Sequence, residues 1–89
     1  MSAPPPQLPG YHLVTIQKGE LGELSKVREE LEELTDAHAQ GDRIMQLVEA
    51  ADLYGALELF LEKHIPGMTM QDLAKFSATT RRAFQNGRR

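Results

Sequence analysis

LGELSKVREELEELTDAHAQGDRIMQLVEAADLYGALELFL, residues 21–61, is the stretch whose reading decides the fold. Leu21, Leu24, Val27, Leu31 and Leu34 recur every three or four positions, the spacing of one helix face. Gly41 stops that helix, because a residue without a Cβ closes a helix C-terminus in the left-handed conformation most readily. Asp42 then stands where an N-cap is needed, and Ile44 to Leu61 is apolar on nearly every side, interrupted by Gln46, Glu49, Asp52 and Glu58. A helix so apolar all round belongs in the middle of a protein. The two segments predict an antiparallel helical hairpin.

Working outward, Pro66 and Gly67 end the second helix, and Thr69-Met70-Gln71-Asp72 has the form of a capping box with aspartate in its last position. It opens a third long helix whose expected buried stripe is Met70, Leu73, Phe76 and Phe84. On the other side, Pro4, Pro5, Pro6 and Pro9 remove backbone donors, so residues 1–10 read as a flexible Pro-rich tail. Tyr11 to Ile16 reads as an extended lead-in or a first helical turn, since no second β-like run exists to pair with it. No internal repeat or strand-turn-strand pattern is present. The expected fold class is all-α, one domain over residues 11–89.

A single core in a chain of 89 residues supplies only a few kcal/mol of net stability, so self-association is expected. Ala50, Leu53, Leu57 and Leu61 are the positions expected to stay uncovered on the central helix, and a homodimer or homotetramer would complete the bundle. The chain has no cysteine, which excludes disulfides and thiolate metal sites and leaves oxygen or imidazole as metal ligands. No apolar run approaches the roughly 18 residues that span a bilayer, and a soluble cytoplasmic protein without membrane partners is expected. The net charge of −3 is unevenly spread: acids crowd between Glu20 and Asp36, while Arg81, Arg82, Arg88 and Arg89 close the chain. That balance and the few aromatics disfavour nucleic acid as a partner.

The carboxylates carry the functional signal. In Lys26-Val27-Arg28-Glu29-Glu30-Leu31-Glu32-Glu33, a rotation of ~100° per residue sets Glu30 and Glu33 at the edge of a core centred on Val27, with Glu29 and Glu32 pointing largely away. Glu49 and Asp52 repeat the i, i+3 spacing on the more apolar second helix, among Val48, Leu53, Ala56, Leu59 and Phe60. Buried carboxylates normally find a cation, a partner or a proton. A turn at Gly41 would bring the two pairs face to face, and four hard oxygen ligands suit Mg²⁺ or Mn²⁺ rather than zinc or copper. Such an ion keeps open positions and commonly completes its shell with substrate phosphates.

Lys26, Glu29-Glu30-x-x-Glu33 and Glu49-x-x-Asp52 together resemble the signature of the MazG-like all-α nucleoside triphosphate pyrophosphohydrolases, closely over residues 18–55 and loosely elsewhere. Ala50 and Ala51 fill positions where the family commonly has glycine or serine before the last aspartate. The chain also offers three clear helices where the family often shows four or more. The resemblance implies Mg²⁺-dependent hydrolysis of a nucleoside triphosphate to a monophosphate and pyrophosphate. It makes Glu30, Glu33, Glu49 and Asp52 the metal ligands, and makes Glu29, Glu30 and Glu33 the candidate catalytic carboxylates. Lys26 is placed to meet a phosphate oxygen, and Arg81 or Arg82, of the same or a partner subunit, to hold the far phosphates.

His12, His38 and His64 are scattered without metal or nucleophile spacing, and neither Ser25 nor Ser77 belongs to a catalytic motif. The competing reading is a non-catalytic helical interaction module, with the leucine stripe as a pairing seam and the glutamates as its solvated flank.

Overall fold

The computed structural model describes residues 13–87, apart from the Phe84 side chain; the Pro-rich segment, Tyr11, His12, Arg88 and Arg89 lie outside the described residues. Three helices follow in order, α1 (Leu24–Gln40), α2 (Arg43–His64) and α3 (Met70–Gln85), with no strand among the described residues. None of the helices is long and apolar enough to cross a membrane.

The α1–α2 turn is built as its residues dictate. Gly41 adopts φ 71° and closes α1 on the carbonyls of Ala37 and His38. Asp42 caps α2 by accepting from the Met45 N–H at 3.0 Å. At the far end of the hairpin, Glu23 at the N-terminus of α1 forms an ion pair with Lys63 and a 3.0 Å contact with His64 Nε2 in the last turn of α2. The Thr69 capping box forms in both directions: the Thr69 N–H donates to Asp72 Oδ2 and the Asp72 N–H to Thr69 Oγ1, each at 3.1 Å.

Packing between helices is confined almost wholly to α1 and α2. Three expectations of burial change here. On α1 the seam against α2 is centred on Lys26, Glu30, Glu33 and Ala37, while Leu24 and Leu31 are 63% and 51% exposed. The leucine stripe is turned to one side because the carboxylate face, rather than the apolar face, meets the second helix. On α3, Phe76 is 58% exposed and Met70 and Leu73 are half-buried, so these members of the expected stripe are not fully buried within one chain; among the described residues α3 makes little contact with the hairpin. The third side of α2 is also composed differently. Leu61 is buried and Leu53 and Leu57 are half-buried, whereas Ile44, Leu47 and Tyr54 join Ala50 in solvent.

Leu13 to Glu20 runs extended alongside α1 as a strap, fixed near both ends. The Leu13 N–H donates to both carboxylate oxygens of the buried Asp36, at 3.0 and 2.8 Å, and the Gly19 N–H donates to Glu29 Oε1 at 2.9 Å. Gly19 passes so close to α1 that a Cβ there would lie 2.2 Å from the Ser25 carbonyl oxygen, so no other residue fits without moving the strap.

Candidate metal centre

Glu30 and Glu33 on α1 and Glu49 and Asp52 on α2 converge across the hairpin. Each offers a carboxylate oxygen, and these four oxygens all lie within 4.8 Å of one another. The i, i+3 spacing on each helix turns both members of a pair toward the seam, and the antiparallel turn at Gly41 sets the pairs opposite. Glu30 and Glu49 are buried, Glu33 is half-buried and Asp52 is exposed, so the cluster is closed on the helix side and open on one flank. The four predicted ligands are therefore brought together.

The direction of that opening follows from the helical phase. Leu34 lines a shallow hollow with Arg43, Ile44, Gln46, Leu47 and Ala50, which places the uncovered sides of α1 and α2 on one face of the hairpin. Asp52 is two residues past Ala50 and hence ~160° from it, pointing to the opposite face. Glu29 is likewise ~160° from Leu31 and takes the strap. The carboxylate cluster thus opens on the strap side, away from Leu31 and Leu47.

Four carboxylates this close cannot all remain ionised without a compensating charge. Burial, followed by repulsion from Glu30 and a hydrogen bond shared with Glu49, raises the Glu33 pKa from 4.5 to about 8. Glu30 Oε1 is buried without a hydrogen-bond donor among the described residues, and an acceptor in that state is poised for a cation. A donor set of hard carboxylate oxygens with one exposed member fits a Mg²⁺ or Mn²⁺ ion that keeps part of its shell for solvent or substrate.

A pH dependence follows. Without metal, the folded protein holds a proton on Glu33 that the unfolded chain releases near pH 4.5, so this group's stabilising contribution is full below pH 4.5 and is lost as pH rises through about 8. Metal needs the ionised form, so Mn²⁺ affinity should rise by up to about tenfold per pH unit below pH 8 and then level off. Calorimetry in buffers of different ionisation enthalpy should detect the released proton; an affinity independent of pH between 5 and 8 would contradict the assignment.

Two neighbouring residues differ from expectation. Glu29 is 2% exposed rather than turned outward, because the strap covers it. Burial pushes its pKa up, but the Gly19 N–H, Lys26 and Lys18 outweigh this and hold it below the ordinary carboxylate value, which makes it a poor proton acceptor. Lys26 is not free for a phosphate: its Nζ lies 3.0 Å from Glu30 Oε2 and 3.1 Å from Glu29 Oε1. The hydrogen bond to Glu30, opposed by partial burial and aided by Glu29, raises its pKa and keeps it charged. Lys26 therefore neutralises the buried acids and orients Glu30.

Arg81 and Arg82 sit exposed on α3, and no ion pair joins them to the carboxylates among the described residues. Sequence reasoning passed over Asp36 and Gly19; neither lies in a recognisable motif, and only the path of the strap gives them a role. No family model, no curated protein and no solved structure matches the chain.

Proposed function

We propose that this chain is a Mg²⁺-dependent nucleotide pyrophosphohydrolase of the MazG-like kind, hydrolysing a nucleoside or deoxynucleoside triphosphate to the monophosphate and pyrophosphate. The observation that carries the reading is the convergence of one oxygen each from Glu30, Glu33, Glu49 and Asp52 within 4.8 Å. Acidic clusters are common on helices, but this one is inside a hairpin seam, where carboxylates are costly unless a cation occupies the space between them.

Mg²⁺ bound there would supply Lewis acidity toward the phosphoryl oxygens and neutralise their charge. The chain's own residues do the rest. Asp52, exposed at the mouth, faces the incoming triphosphate, while Glu30 and Glu49 hold the buried side. Lys26 holds Glu30 in place through its 3.0 Å contact with Oε2. Glu33, the half-buried member of the cluster, gives up the proton it holds without metal and would act as an ionised ligand to the ion. No covalent intermediate is invoked, since hydrolysis at phosphorus needs positioning and electrostatics more than a protein nucleophile.

The working form in this reading is a homodimer or a higher assembly of such dimers. Leu24 and Leu31 of α1 and Ile44, Leu47 and Tyr54 of α2 are exposed, and a second hairpin laid over these leucines completes a four-helix bundle. The same exposed residues favour the rival reading of a helical interaction module. Incubation with Mg²⁺ and a panel of nucleoside triphosphates separates the two: pyrophosphate is expected from at least one substrate, orthophosphate alone would indicate a different phosphohydrolase, and silence across the panel would leave the interaction module.

A further inference from the structure

We infer that Lys18, on the strap beside Gly19, is the residue of this chain that grips the phosphates of the substrate; the inference rests on the pyrophosphohydrolase reading above. A triphosphate brings several negative charges to a cluster that is itself acidic, and a cation of the protein at the open flank would neutralise the phosphate charge that the metal leaves uncompensated. Lys26 is only 22% exposed and is committed to two buried carboxylates. Moving it would leave Glu29 and Glu30 undercompensated inside the seam, which is costly.

Lys18 is in the opposite situation. Its side chain is 86% exposed, and its Nζ stands 3.6 Å from Glu29 Oε2, a loose contact outside hydrogen-bond range. If Lys18 swings away, Glu29 still accepts from the Gly19 N–H at 2.9 Å and from Lys26 Nζ at 3.1 Å, so little is lost. The backbone next to it is held firmly. The Gly19 N–H is bound to Glu29, Gly19 rests against the Ser25 carbonyl, and the Glu20 N–H donates to Ser25 Oγ at 3.0 Å. Lys18 is thus a mobile cation on a fixed base, on the face of the hairpin to which Asp52 points and the carboxylate cluster opens. Buried Glu29 acts through it as a positioning residue, docking the strap that presents the lysine.

The test uses the full chain with inorganic tripolyphosphate and Mg²⁺ as a base-free probe, followed by calorimetry, together with the Mn²⁺-induced shift in melting temperature. Lys18→Ala is expected to weaken tripolyphosphate binding about tenfold or more while the Mn²⁺ shift stays as in the native protein, and Lys18→Arg should retain most of the affinity. Unchanged tripolyphosphate affinity in Lys18→Ala would overturn the inference and leave the metal site standing. Loss of the Mn²⁺ shift in Lys18→Ala would also overturn it, since the lysine would then be supporting the carboxylates. A native protein that neither responds to Mn²⁺ nor binds the probe would remove the parent reading and this inference with it.

Discussion

Glu49→Gln is expected to abolish nucleotide hydrolysis and metal-induced stabilisation together, while the hairpin stays folded. Glu49 is 2% exposed and one of the four oxygens of the cluster, so the amide keeps its shape and removes one charge from the ion's surroundings. A loss on the order of a thousandfold in kcat/KM, ~4 kcal/mol of transition-state stabilisation, is the effect expected when one charged oxygen is removed from around the proposed ion. The native protein at a metal concentration about a hundred times its Kd should gain ~2.7 kcal/mol of stability, and the variant should gain almost none. Stability without metal should hold or increase, because Glu49 raises the Glu33 pKa through a hydrogen bond and repulsion, and losing its charge relieves that conflict. Thermal melts with and without Mn²⁺, read beside pyrophosphate release, check all three statements. A variant that still hydrolyses at native rates would remove Glu49 from the site, and one that unfolds would show that the carboxylate is structural. Asp52→Asn should follow the same pattern with a smaller effect on stability, since Asp52 is exposed.

Leu47→Asp is expected to split the assembly into monomers at micromolar concentration. Leu47 is 73% exposed in the single chain and shares its hollow with Leu34, on the face left uncovered by the hairpin near the Gly41 turn. Covering a leucine fully contributes ~1.5–3 kcal/mol, and replacing it with an unpaired carboxylate adds a desolvation cost of several kcal/mol more. In a two-fold assembly every substitution occurs twice, so the dissociation constant should rise by at least about a thousandfold. Sedimentation should give at least twice the 89-residue mass for the native chain and close to the single-chain mass for the variant. A native chain that sediments as a well-folded monomer would refute the proposed bundle. Because the carboxylate cluster opens on the opposite face, Mn²⁺ binding should survive in monomeric Leu47→Asp. That separates the assembly from the metal site.

Much of this was legible in the residues alone. Helix ends are local events, so Gly41, Asp42 and the Thr69–Asp72 capping box announced their turns in sequence, and each forms with its expected hydrogen bonds. The convergence of the four carboxylates was legible for the same kind of reason: i, i+3 spacing fixes a shared face within a helix, and one short turn leaves little choice about which faces meet. The phase of α1 was not legible to the same degree. Periodicity identifies an apolar stripe but does not say which partner it serves: Leu24 and Leu31 stay largely exposed, and the hairpin seam is filled by Glu30, Glu33 and Ala37.

Local spacing, through caps and helical periodicity, was enough to determine an all-helical chain with an antiparallel hairpin and four carboxylates directed at one point. Contacts between residues distant in sequence decided the rest: the burial of Glu29 beneath the strap, the anchoring of Leu13 on Asp36, the capture of Lys26 by Glu29 and Glu30, and the isolation of α3 from the hairpin. The Leu13–Asp36 contact spans 23 positions, and no pattern in the sequence ties one to the other. An N–H and a carboxylate that far apart pair only because folding brings them together, and the buried Asp36 carboxylate needs donors there.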